Sequence, residues 1–411
     1  MSAKTVMVWG LMLFAVGLLF HSRGTTVGGA YLAVAAGLSI AYSRASLKRL
    51  KYRREFSSRK AAVGDEVSIS IGIENLKPLP VLWLKCEDEV PSAETLGRLP
   101  ATPHYKPGRA VLTNVVYLRW FERVERKFRV KCLTRGVFRF GPITMSSGDI
   151  MGLKETSIEV ADHDTLTVYP RMARVVGMSW GERFPLGDSR DRGWLYPDPL
   201  NIVGTRPYTA GTPIRQMAWR ATAKTGSFQE RLLQPTVQSS IIVALSLSTG
   251  EHYWEGVNPD NLETAIFVCA SLCREFAKRG APFGLFCNSL SASPSRGRGL
   301  LVAPGLSSGH FQKVLGILST LRMPWMEFHV ALKGLSRSVA PDIGLLAIMP
   351  KQLEADWEQL LSIAGTGRVT TAVVLTRDER FASYYRKIPT YLVSPPVDWR
   401  TSEVIGFARL A

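Results

Sequence analysis

Residues 241–249 read IIVALSLST and residues 262–280 read LETAIFVCASLCREFAKRG. The first is an unbroken apolar run of strand length; the second carries apolar residues at helical spacing and stops on Gly280. The alternation continues down the chain. PFGLFCN (Pro282–Asn288), IGLLAIM (Ile343–Met349) and VTTAVVLT (Val369–Thr376) read as strands, whereas HFQKVLGILSTL (His310–Leu321) and QLEADWEQLLSIAG (Gln352–Gly365) read as helices. Strands alternating with helices predict a parallel sheet covered on both faces. The reading is a doubly wound α/β domain over residues 236–395, with a C-terminal tail over 396–411. Ligands of such folds sit at the carboxyl ends of the strands, so the segment after Ile241–Leu247 is the place for a site.

Upstream the period changes to two. EVSISIGIEN (Glu66–Asn75) alternates after a Gly64-Asp65 turn, and VLWLKCEDEV, VLTNVVYLRW, RKFRVKCL, GVFRFGPITM and TLTVYP repeat the pattern. Residues 46–170 are therefore expected to form an antiparallel, sandwich-like β module.

Residues 171–235 are richer in Gly, Pro and charge and form a basic connector. Arg206, Arg215, Arg220, Lys224 and Arg231 are opposed nearby by Glu230, with Tyr208, Trp219 and Phe228 interleaved. Basic and aromatic side chains so mixed suit a phosphate ligand or single-stranded nucleic acid. They equally suit an ordered connector whose arginines pair with acids above a packed Trp219. Arg215 and Trp219 are four apart and would share a helical face, with Arg220 turned about 100° away. Arg206, Arg215 and Trp219 are thus expected to clamp the connector, leaving Arg220 and Lys224 to a partner.

The N-terminus carries two uncharged runs, VMVWGLMLFAVGLLF (Val6–Phe20) and VGGAYLAVAAGLSIAY (Val27–Tyr42), separated by HSRGTT. With their flanks each approaches the roughly 20 residues of a membrane helix. Residues 1–45 are read as a transmembrane hairpin of two helices, packed through Gly28, Gly29, Ala33, Ala35, Ala36 and Gly37. No small-x-small site follows the first run, against a cleaved signal peptide. Arg44, Lys48, Arg49, Lys51, Arg53, Arg54, Arg59 and Lys60 follow the second run against Glu55. That excess places both termini and the bulk of the chain on the cytoplasmic side of the cell membrane, as a multi-pass protein, and gives a possible contact with anionic lipid. It also absorbs part of the net charge of +17, and five scattered cysteines fit a reducing compartment better than a disulfide framework.

Three tempting chemistries lack partners. GLSSG (Gly305–Gly309) fits a nucleophile elbow at Ser307, but the only histidines beyond it are His310, three residues on, and His329, and Ser307 or Ser308 suits a helix N-cap. Cys269 and Cys273 share a helix face with only Cys287 as a third thiol, which reads as buried free cysteine. No phosphate loop of the G-x-x-x-x-G-K-[ST] form is present.

On four stretches the chain resembles the bacterial membrane proteins of the domain-of-unknown-function-58 family. These are VGDEVSISIGIEN with Leu79-Pro80, RGVFRFGPITMSSGDIMGL (Arg135–Leu153), GTRPYTAGTPIRQMAWRATAKTG (Gly204–Gly226) and EHYWEGVNPDNLETAIFVCASL (Glu251–Leu272). The resemblance implies two membrane helices, a β module, an arginine-rich signature and a von Willebrand A-like domain. It further implies a MoxR-type AAA+ ATPase as partner and a transglutaminase-like membrane protein as another. Two departures stand out: Gly211 is followed by Thr212 instead of Asp, and the Asp of a metal-binding Asp-x-Ser-x-Ser falls on Ala244 or Ser246. A hard divalent cation wants charged oxygens, so no metal is expected.

The resulting expectation is a non-enzymatic, membrane-anchored interaction protein that presents a degenerate von Willebrand A-like domain. Arg206, Arg215, Arg220, Lys224, Ser246, Ser248 and Thr249 are its candidate partner-binding residues, and no catalytic residue, cofactor or metal is assigned. The alternative is a membrane-associated binder of nucleic acid or another anionic polymer. It is favoured by the charge but weakened by the eight basic residues that topology already uses.

Overall fold

The computed structural model describes residues 3–148, 155–178, 197–209, 214, 217–235, 240–289, 299–394 and 397–410. The chain forms two compact units, a β-rich Met1–Pro170 and an α/β Arg171–Ala411.

The first unit opens with α1 (Ala3–Leu19) and α2 (Arg23–Ser46). Of the two, α2 is long and apolar enough to cross a membrane, and the apolar α1 is shorter. Their backbones touch through glycine: a Cβ on Gly29 would lie 2.3 Å from Phe14 N, and one on Gly10 would lie 2.7 Å from Ala33 N. Gly28 and Gly37, expected in this seam, face open space. The polar spacer is also shorter than its sequence suggests, because Arg23–Thr26 already belong to the first turn of α2. Trp9, Phe20, Tyr31 and Leu38 stand exposed around the hairpin.

The strands β1 (Leu50–Phe56), β2 (Lys60–Ala62), β3 (Glu66–Asn75), β4 (Val81–Pro91), β5 (Leu96–Gly97) and β6 (Thr102–Pro103) come next. They are followed by β7 (Arg109–Leu118), β8 (Arg123–Cys132), β9 (Gly136–Phe140), β10 (Ile143–Gly148), β11 (Glu155–Val160) and β12 (Asp164–Tyr169). Three sheets result, ordered β1-β3-β8-β5, β11-β10-β4-β7-β6 and β2-β12-β9. Alternation does the sorting: Val67, Ile69, Ile71 and Ile73 of β3 point into the core, with Ser68 and Ser70 facing outward.

One buried cation joins the three sheets. Arg54 of β1 grips Asp88 of β4 with two bonds, Nη2 to Oδ1 at 2.6 Å and Nε to Oδ2 at 3.0 Å, and reaches Asp164 of β12 at 3.3 Å. Tyr52 donates to the same Asp88 carboxylate at 2.9 Å. A bidentate guanidinium–carboxylate pair with its remaining atoms bonded is the geometry in which burying charge is tolerated.

The last turn of α2 is fastened to the β strands. Tyr42 donates to Pro80 O and accepts from Leu82 N, both at 3.0 Å, and the Ser43 and Thr156 hydroxyls are 2.8 Å apart. The buried Lys77 ammonium donates to the carbonyls of Ala45 (2.9 Å), Lys48 (2.8 Å) and Ser46, groups that the helix end leaves open.

In the second unit β13 (Arg174–Val176), β14 (Pro197–Pro207), α3 (Trp219–Thr225) and β15 (Gln229–Pro235) precede β16 (Ile241–Leu245), α4 (Pro259–Lys278), β17 (Phe283–Cys287) and β18 (Leu300–Gly305). Then come α5 (Ser308–Thr320), α6 (Phe328–Ser338), β19 (Gly344–Met349), α7 (Glu354–Gly365), β20 (Thr370–Val374), α8 (Ala382–Lys387), β21 (Thr390–Val393) and β22 (Val404–Leu410). The main sheet runs β13-β22-β21-β20-β19-β16-β17-β18, and β14 pairs with β15 apart from it. Ile242, Ala244, Leu345, Ala347 and Ala372 face a core with Phe328, Leu332, Trp357 and Leu360 of α6 and α7. Alternate residues turn to the other face, where α4 packs.

Two expectations change here. Residues 396–411 are not a tail, since Val404–Leu410 inserts as a strand between β21 and β13. The sheet is not wholly parallel: β18 pairs antiparallel with β17, and β22 with β21. Neither strand has the long apolar run of a doubly covered strand, because both are partly exposed.

Removing the sheet-spanning cation should be costly. Arg54→Ala leaves the buried Asp88 carboxylate without its cation and is expected to lower stability by about 3–5 kcal/mol, read as a lower unfolding midpoint of the purified full-length protein.

Candidate functional site

The strand order reverses between β16 and β19: β17 lies on one side of β16, whereas the chain returns to β19 on the other. In an open α/β sheet this switch point opens a crevice at the carboxyl edge. The register settles the place of Ser246. Ala244 pairs with Ala347 inside the sheet and is fully buried, so Ser246 is the first residue beyond the strand, its N–H donating to Ile348 O at 2.9 Å.

Ser246 and Ser248 are buried and used internally. Ser248 N donates to Ser246 Oγ at 3.3 Å, and Ser248 Oγ accepts from Asn288 Nδ2 at 3.1 Å. Thr249 Oγ1 accepts from the N–H of Asn258, the N-cap of α4, at 2.7 Å. These three, expected to meet a partner, instead brace the loop. The centre of the brace is Asn288, which sequence reasoning passes over. Fully buried at the end of β17, its Oδ1 accepts from Leu247 N at 2.8 Å and its Nδ2 donates to Met326 O at 2.9 Å. Its carbonyl also receives Trp325 N at 2.8 Å. Two committed hydroxyls and a carboxamide do not fit a hard divalent cation, which wants carboxylate.

Across the switch point Gln352 plays the same part. Buried at the start of the loop into α7, it donates from Nε2 to Thr376 O at 2.7 Å and accepts from Tyr385 Oη at 2.8 Å. Gln352 also lines a cleft of about 220 Å³ whose walls include Glu251, Lys351, Glu354, Arg380, Phe381 and Tyr384. Its charges are mixed in sign, with Arg380 held by Asp378 at 2.7 Å. Tyr253, Trp254 and Trp325 stand partly exposed along the same edge.

Beside the cleft sits a cluster absent from the sequence reading. Glu327 Oε1 accepts from Tyr253 N at 3.4 Å and lies 3.5 Å from His252 Nδ1. Asp356, in the first turn of α7, is almost fully buried, its Oδ1 3.8 Å from His329 Nδ1 and too far to bond. Burial pushes its carboxyl from 3.8 up to about 7, opposed by the His329 backbone N–H and aided by the charge of Glu327.

The catalytic candidates resolve into structure. Ser307 caps α5, its Oγ accepting from His310 N at 3.0 Å. Cys269, Cys273 and Cys287 are fully buried, and burial pushes the Cys287 thiol up to about 12.

The basic signature folds as the β14–β15 hairpin with α3. Arg206 pairs with Glu230, itself buried, and Glu230 also accepts from Thr209 N at 3.4 Å. Arg215 lies outside the described residues, as do Gly211 and Thr212. Trp219 does not pack beneath the connector: it is 59% exposed. The reason is where the helix starts. Trp219 is the first residue of α3, and Met217 and Ala218 just before it are the residues turned inward. Arg220 and Lys224 are both exposed, with Phe228 62% exposed nearby.

Residues 204–383 match the family described as "Protein of unknown function DUF58". The chain is 22% identical over 253 residues to the uncharacterized protein YeaD of Bacillus subtilis, which covers 61% of this chain and 58% of that protein's length. Among solved structures it matches the CARDB domain of the Pyrococcus furiosus PF1109 protein over 30% of this chain and 96% of that one. The identity there is 14% and the TM-score 0.20. It also matches the cohesin module of a Clostridium perfringens family 33 glycoside hydrolase over 29% and 95% of the two chains, at 12% identity and TM-score 0.22.

Asp356 makes stability depend on pH. The folded state holds its proton up to about pH 7, whereas an unfolded carboxyl has lost it near 3.8. Its stabilising contribution is therefore full below about pH 4, falls as pH rises towards 7, and stays lost above. Asp356→Asn should gain several degrees in unfolding midpoint over wild type at pH 8 relative to pH 4.

Proposed function

We propose that this protein is a membrane-tethered, non-enzymatic docking protein whose α/β unit captures a protein partner. In this reading both α1 and α2 span the bilayer as a multi-pass hairpin, the bulk of the chain is cytoplasmic, and the α/β unit is a von Willebrand A-like domain without a metal site. The partner is the MoxR-type AAA+ ATPase that the family resemblance implies.

One observation carries the reading. The signature presents Trp219 and Phe228 to solvent beside the exposed Arg220 and Lys224. Exposed aromatic rings ringed by basic groups are the makeup of an interface anchor, since rings gain most from being covered. The carboxyl-edge cleft supports the reading as well. Its loops are held by Asn288 and Gln352, so a partner side chain would enter a preformed recess.

The same exposed patch also favours the second reading, an anionic polymer, because stacking rings and cations suit single strands. Salt separates the two: polymer binding should weaken steeply with added salt, and capture through apolar rings should not.

Trp219→Ala should leave the unfolding midpoint of the full-length protein within about 0.5 kcal/mol of wild type and abolish ATPase capture in a pull-down. Arg220→Ala and Lys224→Ala should weaken capture with stability intact. A Trp219→Ala variant that unfolds would return the tryptophan to a structural clamp; one that captures normally would remove the signature from the interface. For topology, a reporter fused at Ala411 should be active on the cytoplasmic side, and one active only outside would reverse the orientation.

A further inference from the structure

The turn between β7 and β8 combines exposed aromatic side chains with a left-handed residue. Trp120 and Phe121 are each 66% exposed, and Tyr117 at the end of β7 is 50% exposed. Phe121 adopts φ 52°, a left-handed conformation that glycine takes more readily than a bulky side chain. An exposed aromatic pair kept at a strained position serves no packing need of the unit.

The position of the turn gives it a partner. Phe121 N donates to Lys77 O at 3.3 Å, and Asn75 Nδ2 donates to Arg119 O at 2.8 Å. Lys77 is the residue whose ammonium closes the end of α2. Tyr42, one turn before that end and about 6 Å back along the helix, bonds Pro80 and Leu82. Val81 pairs with Leu118, so the turn that follows Leu118 lies at the pole where α2 enters the unit, on the side from which the helix comes. Arg44, Lys48 and Arg119 are exposed at this pole.

We propose that the Arg119–Glu122 turn is a lipid-surface anchor: Trp120 and Phe121 seat in the headgroup region of the bilayer crossed by α2, with Arg44, Lys48 and Arg119 against anionic headgroups. This rests on the membrane reading of α2. Indole and phenyl rings partition into the membrane–water boundary, and basic side chains beside them gain from lipid phosphate. Because α2 is bonded to the strands, the β-rich unit would be held at one height over the membrane, by a helix and a turn, instead of swinging on a linker.

The five native cysteines are buried, so a maleimide dye reports on an introduced one alone. The full-length protein carrying Trp120→Cys, labelled with a polarity-sensitive dye, is reconstituted into phosphatidylcholine–phosphatidylglycerol vesicles. Its emission should shift to the blue and be quenched by spin-labelled lipid but not by aqueous iodide. Tyr117→Cys repeats the measurement on the strand should the turn variant fail to fold. Tyr105→Cys, preceding β7 at the opposite pole and roughly 30 Å away, should show the reverse pattern. Leu38→Cys on α2 reports the membrane helix. Lipid quenching at position 38 with iodide quenching at 117 and 120 would overturn the anchor and leave the membrane helix standing. Iodide quenching at all of them would overturn the membrane reading as well. Shielding from both quenchers at 117 and 120 would mean a protein contact, which also overturns the proposal.

Discussion

A backbone N–H or C=O that leaves regular structure away from water must find a partner, and this chain does so repeatedly at buried positions. Four such exits are closed by a polar side chain. Lys77 takes the carbonyls at the end of α2, Arg368 takes Val339 O at 2.8 Å and Ala340 O at 3.0 Å after α6, and Asn288 and Gln352 hold the loops on either side of the switch point. The helices and strands could be drawn from apolar burial alone. Where they stop depends also on such side chains, and at the carboxyl edge of the α/β sheet Asn288 and Gln352 hold the loops. Losing one would leave several backbone groups unsatisfied together, each costing about 1–3 kcal/mol if buried.

The same requirement divides the basic residues into two populations. Arg54, Lys77 and Arg368 are buried and spent on carboxylates or carbonyls. Others stay in solvent, on α3 and at the end of α2, beside exposed aromatic rings. A net charge of +17 is therefore a poor guide to any single ligand. What matters is which cations the fold has left uncommitted, and next to what.

Much of the α/β unit was legible because doubly covered strands such as β16, β19 and β20 need unbroken apolar runs, and those runs are visible in the chain. The half-exposed β22 and the three-residue β13 were not, since neither carries enough residues for a period to emerge. At the site, the position was legible and the roles were not. Ser246, Ser248 and Thr249 lie where the strand pattern puts them, but a hydroxyl at a strand end can face a ligand or a neighbouring loop with equal ease. Asn288 is a single polar letter after FGLFC, and in sequence it cannot be told from a solvated turn. Trp219 was misplaced because α3 begins at Trp219 itself, and the residues turned inward come just before it.

The place of β22 bears on the order in which the two units can fold. Arg174 of β13 finds its partner in Val404, far along the chain, and β22 also separates β13 from the rest of the sheet. Without β22, β13 has no partner strand and β21 presents an open edge. The strands of the first unit pair among themselves within Leu50–Tyr169, so that unit can assemble while the ribosome is still translating. The main sheet of the α/β unit is complete only once β22 is in place. Loss of β22 would thus act on the whole sheet, exposing an edge that this strand otherwise covers.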